Sequence, residues 1–183
     1  MTTKLTKMKN VSSRKDFLLK GIMLTTGIAL TPKLIYSQKQ EQPKPIDSKI
    51  VNEFVKIAHS DLDKVKEMIK QYPLLLNSSW DWGGGDFETA LGAAGHMGLK
   101  DTANFLLSFG ARADIFVLTM LGKTEIVKAM LRDYPTLLNS KGPHGFTLLH
   151  HAEKGGKESE ELAKHFQALG LKETFIKLNI LKK

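Results

Sequence analysis

Apolar residues recur at helical spacing in three stretches of the chain, and mostly polar or charged residues occupy the positions between them. The stretches are Leu62, Val65, Met68 and Ile69; Ala103, Phe105 and Leu106; and Ile126, Val127, Met130 and Leu131. Each pattern predicts an amphipathic helix of about ten residues, which is marginal alone in water and must pack against a neighbour. Pro73 and Pro135 follow two of these helices and should end them, because proline cannot continue a helix.

Two of the three stretches belong to near-copies of one segment. The segment 65–78 returns as 127–140, so the offset is 127 − 65 = 62 residues. This offset is close to twice the length of a helical repeat unit of about 33 residues. A further unit is therefore expected between the two copies.

The segment between the copies carries a family resemblance. Residues 89–111 read T-A-L-G-A-A-G-H-M-G-L-K-D-T-A-N-F-L-L-S-F-G-A, which resembles an ankyrin repeat without a gap. The matching positions are Thr89, Leu91, Ala93, Ala94, Gly98, Leu106, Leu107, Gly110 and Ala111, whereas Ala90 and Gly92 stand where Pro and His are usual. A fourth unit opens with T-L-L-H at 147–150. The resemblance covers roughly residues 51–171.

The resemblance implies an all-α fold, an ankyrin-repeat solenoid of about four irregular helix-turn-helix units. The predicted units are 51–78, 86–114, 115–140 and 145–171, followed by a C-terminal capping tail at 172–183. Stability in such a solenoid is the sum of the repeats and their interfaces. Leu107 is predicted to be buried between the second and third units, and the tight turn at Gly98 is predicted to need a positive φ.

The N-terminal 37 residues form an export pattern rather than part of the fold. A basic region precedes the moderately apolar run 21–30, which is too short to span a bilayer. The stretch S-R-K-D-F-L-L-K at 13–20 resembles a twin-arginine signal, with Lys15 in place of the second arginine. The prediction is a signal peptide at 1–37 and a periplasmic or secreted product, with the twin-arginine and general secretory routes both open. The segment 38–50 is predicted to be a flexible linker.

Charge and cysteine content exclude several classes of function. The chain carries 27 Lys and Arg against 19 Asp and Glu, a net charge of +8, of which 7 − 1 = +6 lies within residues 1–37. The remainder, near +2, offers no clustered basic face for a nucleic acid. The chain has no cysteine, so it has no disulfide, thiolate metal site or thiol nucleophile. We expect a monomer without a membrane span in the mature chain.

The six histidines show no metal-binding or catalytic spacing. His150 and His151 are adjacent, so on a helix their side chains point about 100° apart and cannot share one metal ion as an i, i+4 pair does. In the resemblance, His150 is the structural histidine that bonds to neighbouring backbone. A structural or surface role is predicted for His151, and an exposed position for His96. The sequence therefore predicts no catalytic residue, no metal site and no cofactor.

The loop that follows the first copy is the most individual feature of the sequence. Both tryptophans of the chain, Trp80 and Trp82, lie there beside three glycines and Asp86. Two interpretations stay open: a structural seal over the neighbouring helices, or a recognition surface, since tryptophan is enriched at binding hot spots. His144 and Phe146 lie in a second turn that could share the same face.

The function predicted from these features is non-catalytic protein–protein recognition by an exported ankyrin-repeat module. Its partner is an unidentified protein, and the candidate binding residues are Trp80, Trp82, Asp86, His144 and Phe146. The alternatives are an accessory or catalytic periplasmic protein, with a site at the Trp-Gly loop involving Asp81, Asp86 or His96, and a structural or protective protein.

Overall fold

Helices occupy most of the described chain and are joined in pairs. The computed structural model describes residues 44–178, so the predicted export signal at 1–37 and residues 38–43 of the predicted linker lie outside the described residues. The helices are α1 (Ser48–Ile57), α2 (Leu62–Gln71), α3 (Ala90–Met97), α4 (Lys100–Ser108), α5 (Ile115–Met120), α6 (Thr124–Asp133), α7 (Leu148–Gly155) and α8 (Glu160–Ala168). Short 3-10 helices lie at Pro73–Asn77, Pro135–Asn139, Pro143–Gly145 and Gly156–Ser159.

Local sequence signals set where these helices begin and end. Side chains of Asp47, Asp61, Thr89, Asp114 and Thr147 accept hydrogen bonds from backbone N–H groups in the first turns of α1, α2, α3, α5 and α7. Helices α2 and α6 both stop two residues before a proline, and each is followed by a five-residue 3-10 helix. The prediction that Pro73 and Pro135 end their helices is confirmed, and the two copies adopt the same local structure.

The helix pairs stack side by side. The first helices of the pairs form a row in which α1 packs on α3, α3 on α5, and α5 on α7, while each second helix packs on the first helix of its own pair. The buried side chains form two clusters, one around Phe54, Leu91 and Leu106 and the other around Leu148, Leu162 and Phe166. The fold is therefore mostly helical.

A short β-hairpin separates the first pair from the second, and this corrects the all-α prediction. Strands β1 (Ser79–Asp81) and β2 (Phe87–Thr89) are antiparallel, with Trp80 directly opposite Glu88. Directly opposite residues lie on the same face of a sheet. The turn between the strands needs glycine, because Gly83, Gly84 and Gly85 all have positive φ. Asp81 holds this turn by accepting hydrogen bonds from the N–H groups of Gly83 and Gly85.

Several predicted boundaries and positions change in the structure. Helix α1 begins at Ser48, inside the segment predicted as linker, because Asp47 caps it. Leu107 is only half-buried, so its prediction is wrong; the neighbouring Leu106 is the fully buried residue and belongs to the first core cluster. Gly98 has a φ of 78°, as predicted. Among residues 44–178, no helix has both the length and the apolar character needed to cross a membrane.

The described part of the C-terminal tail packs back onto the turn at 143–146. The N–H of Thr147 donates to the carbonyl of Thr174, and the N–H of Ile176 donates to the carbonyl of Gly145. Phe146 and Phe175 form an isolated antiparallel bridge. The tail thereby fixes the position of the turn that carries His144.

Candidate metal centre

Three histidines and one glutamate from four separate segments converge at the base of the β-hairpin. His59 lies just after α1, Glu88 is the central residue of β2, His96 is in the last turn of α3, and His144 is in the 3-10 turn before α7. One potential ligand atom from each residue lies within 4.8 Å of the corresponding atoms of the other three. Such a group of nitrogen and oxygen atoms can bind a metal ion.

The distances between the potential ligand atoms are short. Nε2 of His96 lies 2.8 Å from Oε1 of Glu88, and the Nε2 atoms of His59 and His144 each lie 3.4 Å from Oε2 of Glu88. The Nε2 atoms of His59 and His96 are 3.2 Å apart. Ligands held at about 2.0–2.1 Å from a tetrahedral Zn²⁺ ion lie about 3.3–3.4 Å from one another. Three of the four separations are close to this tetrahedral edge.

Hydrogen bonds on the outer side of two rings fix which nitrogen carries the proton. Nδ1 of His59 lies 3.0 Å from the carbonyl oxygen of Val55, and Nδ1 of His144 lies 2.8 Å from Oδ2 of Asp86. Carbonyl and carboxylate oxygens only accept, so both Nδ1 atoms must donate. In the neutral rings the Nε2 atoms are then left with lone pairs directed at Glu88. Metal-binding histidines are held in this way by outer carbonyl and carboxylate groups.

Glu88 lacks the donors that its burial demands. Its side chain has no solvent exposure, and Oε2 accepts a 2.8 Å hydrogen bond from the indole N–H of Trp82. Oε1 is buried without a hydrogen-bond partner among the described residues, because the nearby Nε2 of His96 is not aligned to donate to it. A buried carboxylate with an unmet oxygen is costly unless a positive charge lies beside it.

A single proton on Nε2 of His96 cannot supply a hydrogen bond to every acceptor in the cluster. It can be donated to Nε2 of His59, and Oε1 of Glu88 then stays without a donor. The lone pair of His144 faces the same carboxylate oxygen as that of His59. A cation placed among the four groups would satisfy all of them at once.

Asp86 holds His144 in a backbone conformation that residues other than glycine rarely adopt. His144 has a φ of 61° and is the one residue other than glycine with positive φ among those described. Such a conformation costs on the order of 1–3 kcal/mol. Asp86 offsets this cost because Oδ1 accepts from the His144 backbone N–H and Oδ2 from its Nδ1, each at 2.8 Å.

The four-residue cluster is buried on one side and partly exposed to solvent on the other. The side chains of Glu88 and His96 are 0% and 6% exposed, and Phe146 stacks on the His96 ring at 5.2 Å. The side chains of His59 and His144 are 24% and 29% exposed. The indole of Trp82 borders this outer side, with its ring 6.1 Å from His59 and 5.8 Å from His144.

Four of the five candidate binding residues lie at this cluster. Trp82 donates to Glu88, Asp86 bonds to His144, His144 is a potential ligand, and Phe146 stacks on His96. Trp80 is half-buried in β1, on the same face of the hairpin as Glu88. The residues selected from the sequence therefore lie beside the cluster, although they were selected as a recognition surface.

The remaining histidines divide between correct and incorrect predictions. His96 is 5% exposed, so the prediction of an exposed position is wrong; the hairpin and Phe146 cover the end of α3. His150 donates from Nε2 to the carbonyl of His96, which confirms its backbone-bonding role. Burial lowers the pKa of His150, and it lowers the pKa of His151 to about 4. His151 donates to the carbonyl of Thr147, which confirms a structural role.

Sequence reasoning missed His59 and Glu88, although one signal for His59 was present. His59 lies three residues before Leu62, and His96 lies three residues before Leu99. The two histidines thus hold the same position in successive helix pairs, and the stacking of α1 on α3 brings equivalent helix ends together. Glu88 and His144 carry no comparable signal, because their approach depends on the hairpin and on the turn before α7.

Comparison with models of protein families, with curated proteins and with solved structures gave no match.

Proposed function

We propose that the protein binds one divalent transition-metal ion, with Zn²⁺ as the first candidate, through His59, Glu88, His96 and His144. The observation that carries the proposal is the meeting of three imidazole nitrogens at a buried carboxylate whose Oε1 has no donor. Imidazole and carboxylate ligands suit zinc and the neighbouring first-row metals. Three separations close to the edge of a zinc tetrahedron favour zinc among them.

The fold family and the cellular location in this proposal rest on the sequence and on the packing of the helices. We infer an exported ankyrin-repeat protein, because the stacked helix pairs support a repeat solenoid and the basic, then apolar, N-terminus is typical of an export signal. A centre without thiolates suits an oxidising compartment, since histidine and glutamate do not form disulfides.

Metal titration of the untagged full chain tests the proposal. We expect binding of one equivalent of Zn²⁺ by calorimetry, confirmed by competition with a chromophoric chelator. His96→Gln and Glu88→Gln should each weaken binding at least about a hundredfold, since each removes a ligand, and the loss of an outer partner alone costs about 10–100-fold.

The matched control is His165→Gln, because His165 lies on α8 outside the cluster. It should leave Zn²⁺ affinity unchanged. Absence of stoichiometric binding, or an equal loss in the control, would reject the proposed metal site.

Protein recognition stays a second proposal, and Phe87 favours it. Phe87 lies on the opposite face of β2 from Glu88 and is 62% exposed, so it is free of the cluster. An exposed aromatic on a protruding hairpin can serve as a binding anchor. If the hairpin binds a protein, Phe87→Ala should reduce capture of that protein from an extract, while Zn²⁺ affinity stays unchanged.

A further inference from the structure

We infer that the four-ligand metal centre accepts a fifth, external ligand at an open position on its outer side, and that this position takes a small monodentate anion of the size of azide or formate. The inference rests on the proposed metal site and adds a ligand class to it. It depends on three observations: the unequal exposure of the four ligands, the charge of the centre, and the place of Trp82.

The exposure of the ligands gives the centre a closed side and an open side. His96 and Oε1 of Glu88 form the closed side, where Phe146 covers the His96 ring. His59 and His144 form the open side, where about a quarter of each side chain reaches solvent. An external ligand on the open side would be the fifth, and zinc can expand from four ligands to five.

The charge of the coordination sphere favours an anion there. A divalent ion contributes two positive charges, three neutral imidazoles contribute none, and Glu88 contributes one negative charge, so the sphere carries +1. The second carboxylate of the site, Asp86, lies beyond the His144 ring, where it bonds to Nδ1. The open position therefore faces net positive charge in a partly buried setting, where charges interact more strongly than in water.

Trp82 limits the size of the anion. Its indole N–H is directed at Oε2 of Glu88, the oxygen that both His59 and His144 face. The ring consequently lies beside the two partly exposed ligands and narrows the approach between them. A small anion should therefore enter beside the indole more easily than an aromatic carboxylate.

Substitution with Co²⁺ tests the open position directly. The full chain is loaded with Co²⁺, whose visible absorption reports its coordination, and is titrated with azide, formate and benzoate. We expect azide and formate to shift the bands in a saturable way, and benzoate to bind at least about tenfold more weakly than formate. Bands that do not respond to azide or formate would overturn the inference while leaving the metal site intact. A failure to bind Co²⁺ or Zn²⁺ at all would instead reject the proposed function.

Two tryptophan variants locate the position. Trp82→Ala should reduce the discrimination against benzoate severalfold, because it widens the open side. Trp80→Ala is the matched control: Trp80 lies opposite Glu88 but makes no ring contact with the cluster histidines in the described structure. Discrimination that is unchanged in Trp82→Ala, or reduced equally in both variants, would contradict the placement of the anion beside Trp82.

Discussion

Both carboxylate oxygens of Asp86 bond to His144, a residue 58 positions further along the chain: one oxygen accepts from the backbone N–H and the other from Nδ1, each at 2.8 Å. The pair joins the tip of the β-hairpin to the turn before α7. It also selects the ring tautomer that directs the Nε2 lone pair at Glu88. Asp86 is therefore a positioning residue for the proposed ligand His144.

Asp86→Asn should lower Zn²⁺ affinity by about 10–100-fold, the usual effect of losing an outer partner of a metal-binding histidine. The amide oxygen can still accept from the His144 backbone N–H, but the amide nitrogen cannot accept from Nδ1. The proton is then favoured on Nε2, where it blocks coordination. Competition with a chelator measures the affinity.

Asp81→Asn is the control for this change. Asp81 lies in the same loop and accepts from the N–H groups of Gly83 and Gly85, which an amide oxygen can also do. Its Zn²⁺ affinity should stay close to that of the unmodified chain. Equal losses in the two variants would mean that loop structure, and not the His144 tautomer, sets the affinity.

Metal binding should also stabilise the fold, because the four ligands come from segments that are far apart in the chain. Free Zn²⁺ at one hundred times its dissociation constant should add about 2.7 kcal/mol to the free energy of unfolding, provided that the unfolded chain does not bind it. Chemical denaturation with Zn²⁺ and with a chelator measures this difference. Glu88→Gln should abolish the difference, and a Zn²⁺ effect that persists in this variant would place the metal elsewhere.

Much of the helical architecture could be predicted, since it follows from local signals. The repeated apolar spacing and the proline after each copy predict α2 and α6, and the glycine with positive φ predicts the end of α3. These features act over a few residues and do not depend on distant contacts. The burial of Leu106 in place of Leu107 was missed, because two adjacent leucines at a helix end differ only in which neighbour they face.

The candidate site could not be predicted in the same way. His59 and Glu88 become neighbours only after α1 packs against β1, and His144 reaches them only because Asp86 and the C-terminal tail hold its turn. The sequence singled out the loop tryptophans and Asp86, but as a recognition surface. The chemistry depended on a glutamate in a three-residue strand, which the sequence does not distinguish from a surface residue.

The two leucines at the end of α4 should differ in their contribution to stability. Leu106→Ala should lower the free energy of unfolding by about 2–5 kcal/mol, the range for a buried leucine. Leu107→Ala should cost clearly less, because Leu107 is half-buried. Urea denaturation of both variants measures the difference, and equal losses would contradict the register of α4.

Gly98 should tolerate a side chain less well than Gly110, although both have positive φ. A Cβ at Gly98 would lie 2.8 Å from the carbonyl oxygen of Lys154, whereas a Cβ at Gly110 would meet nothing within 4 Å. Gly110→Ala should therefore cost only the backbone term, roughly 1–2 kcal/mol. Gly98→Ala should cost more, since α7 must move as well. Urea denaturation of both variants measures the two losses in free energy of unfolding. Equal losses would mean that Lys154 can move away from the added Cβ without a cost in stability.

The burial of His151 should make the stability of the fold depend on pH. Its pKa is lowered to about 4 by burial, whereas an unfolded histidine titrates near its ordinary value of 6.5. Between these two values the unfolded chain binds a proton that the folded chain does not, so the free energy of unfolding must fall as the pH is lowered. The contribution of His151 to the free energy of unfolding is fully present above about pH 6.5 and is lost progressively as the pH falls to about 4. The total loss from this residue is about 3 kcal/mol.

His151→Asn isolates this effect, because the amide can donate to the carbonyl of Thr147 as His151 does but does not titrate. Denaturation of the metal-free chain from pH 7 to pH 4.5 should show a smaller decline in the variant than in the unmodified protein. The other histidines are common to both chains, so the difference between the two declines belongs to position 151. Parallel declines would show that His151 takes up its proton without unfolding, which would require a rearrangement of the second cluster of buried side chains around α7.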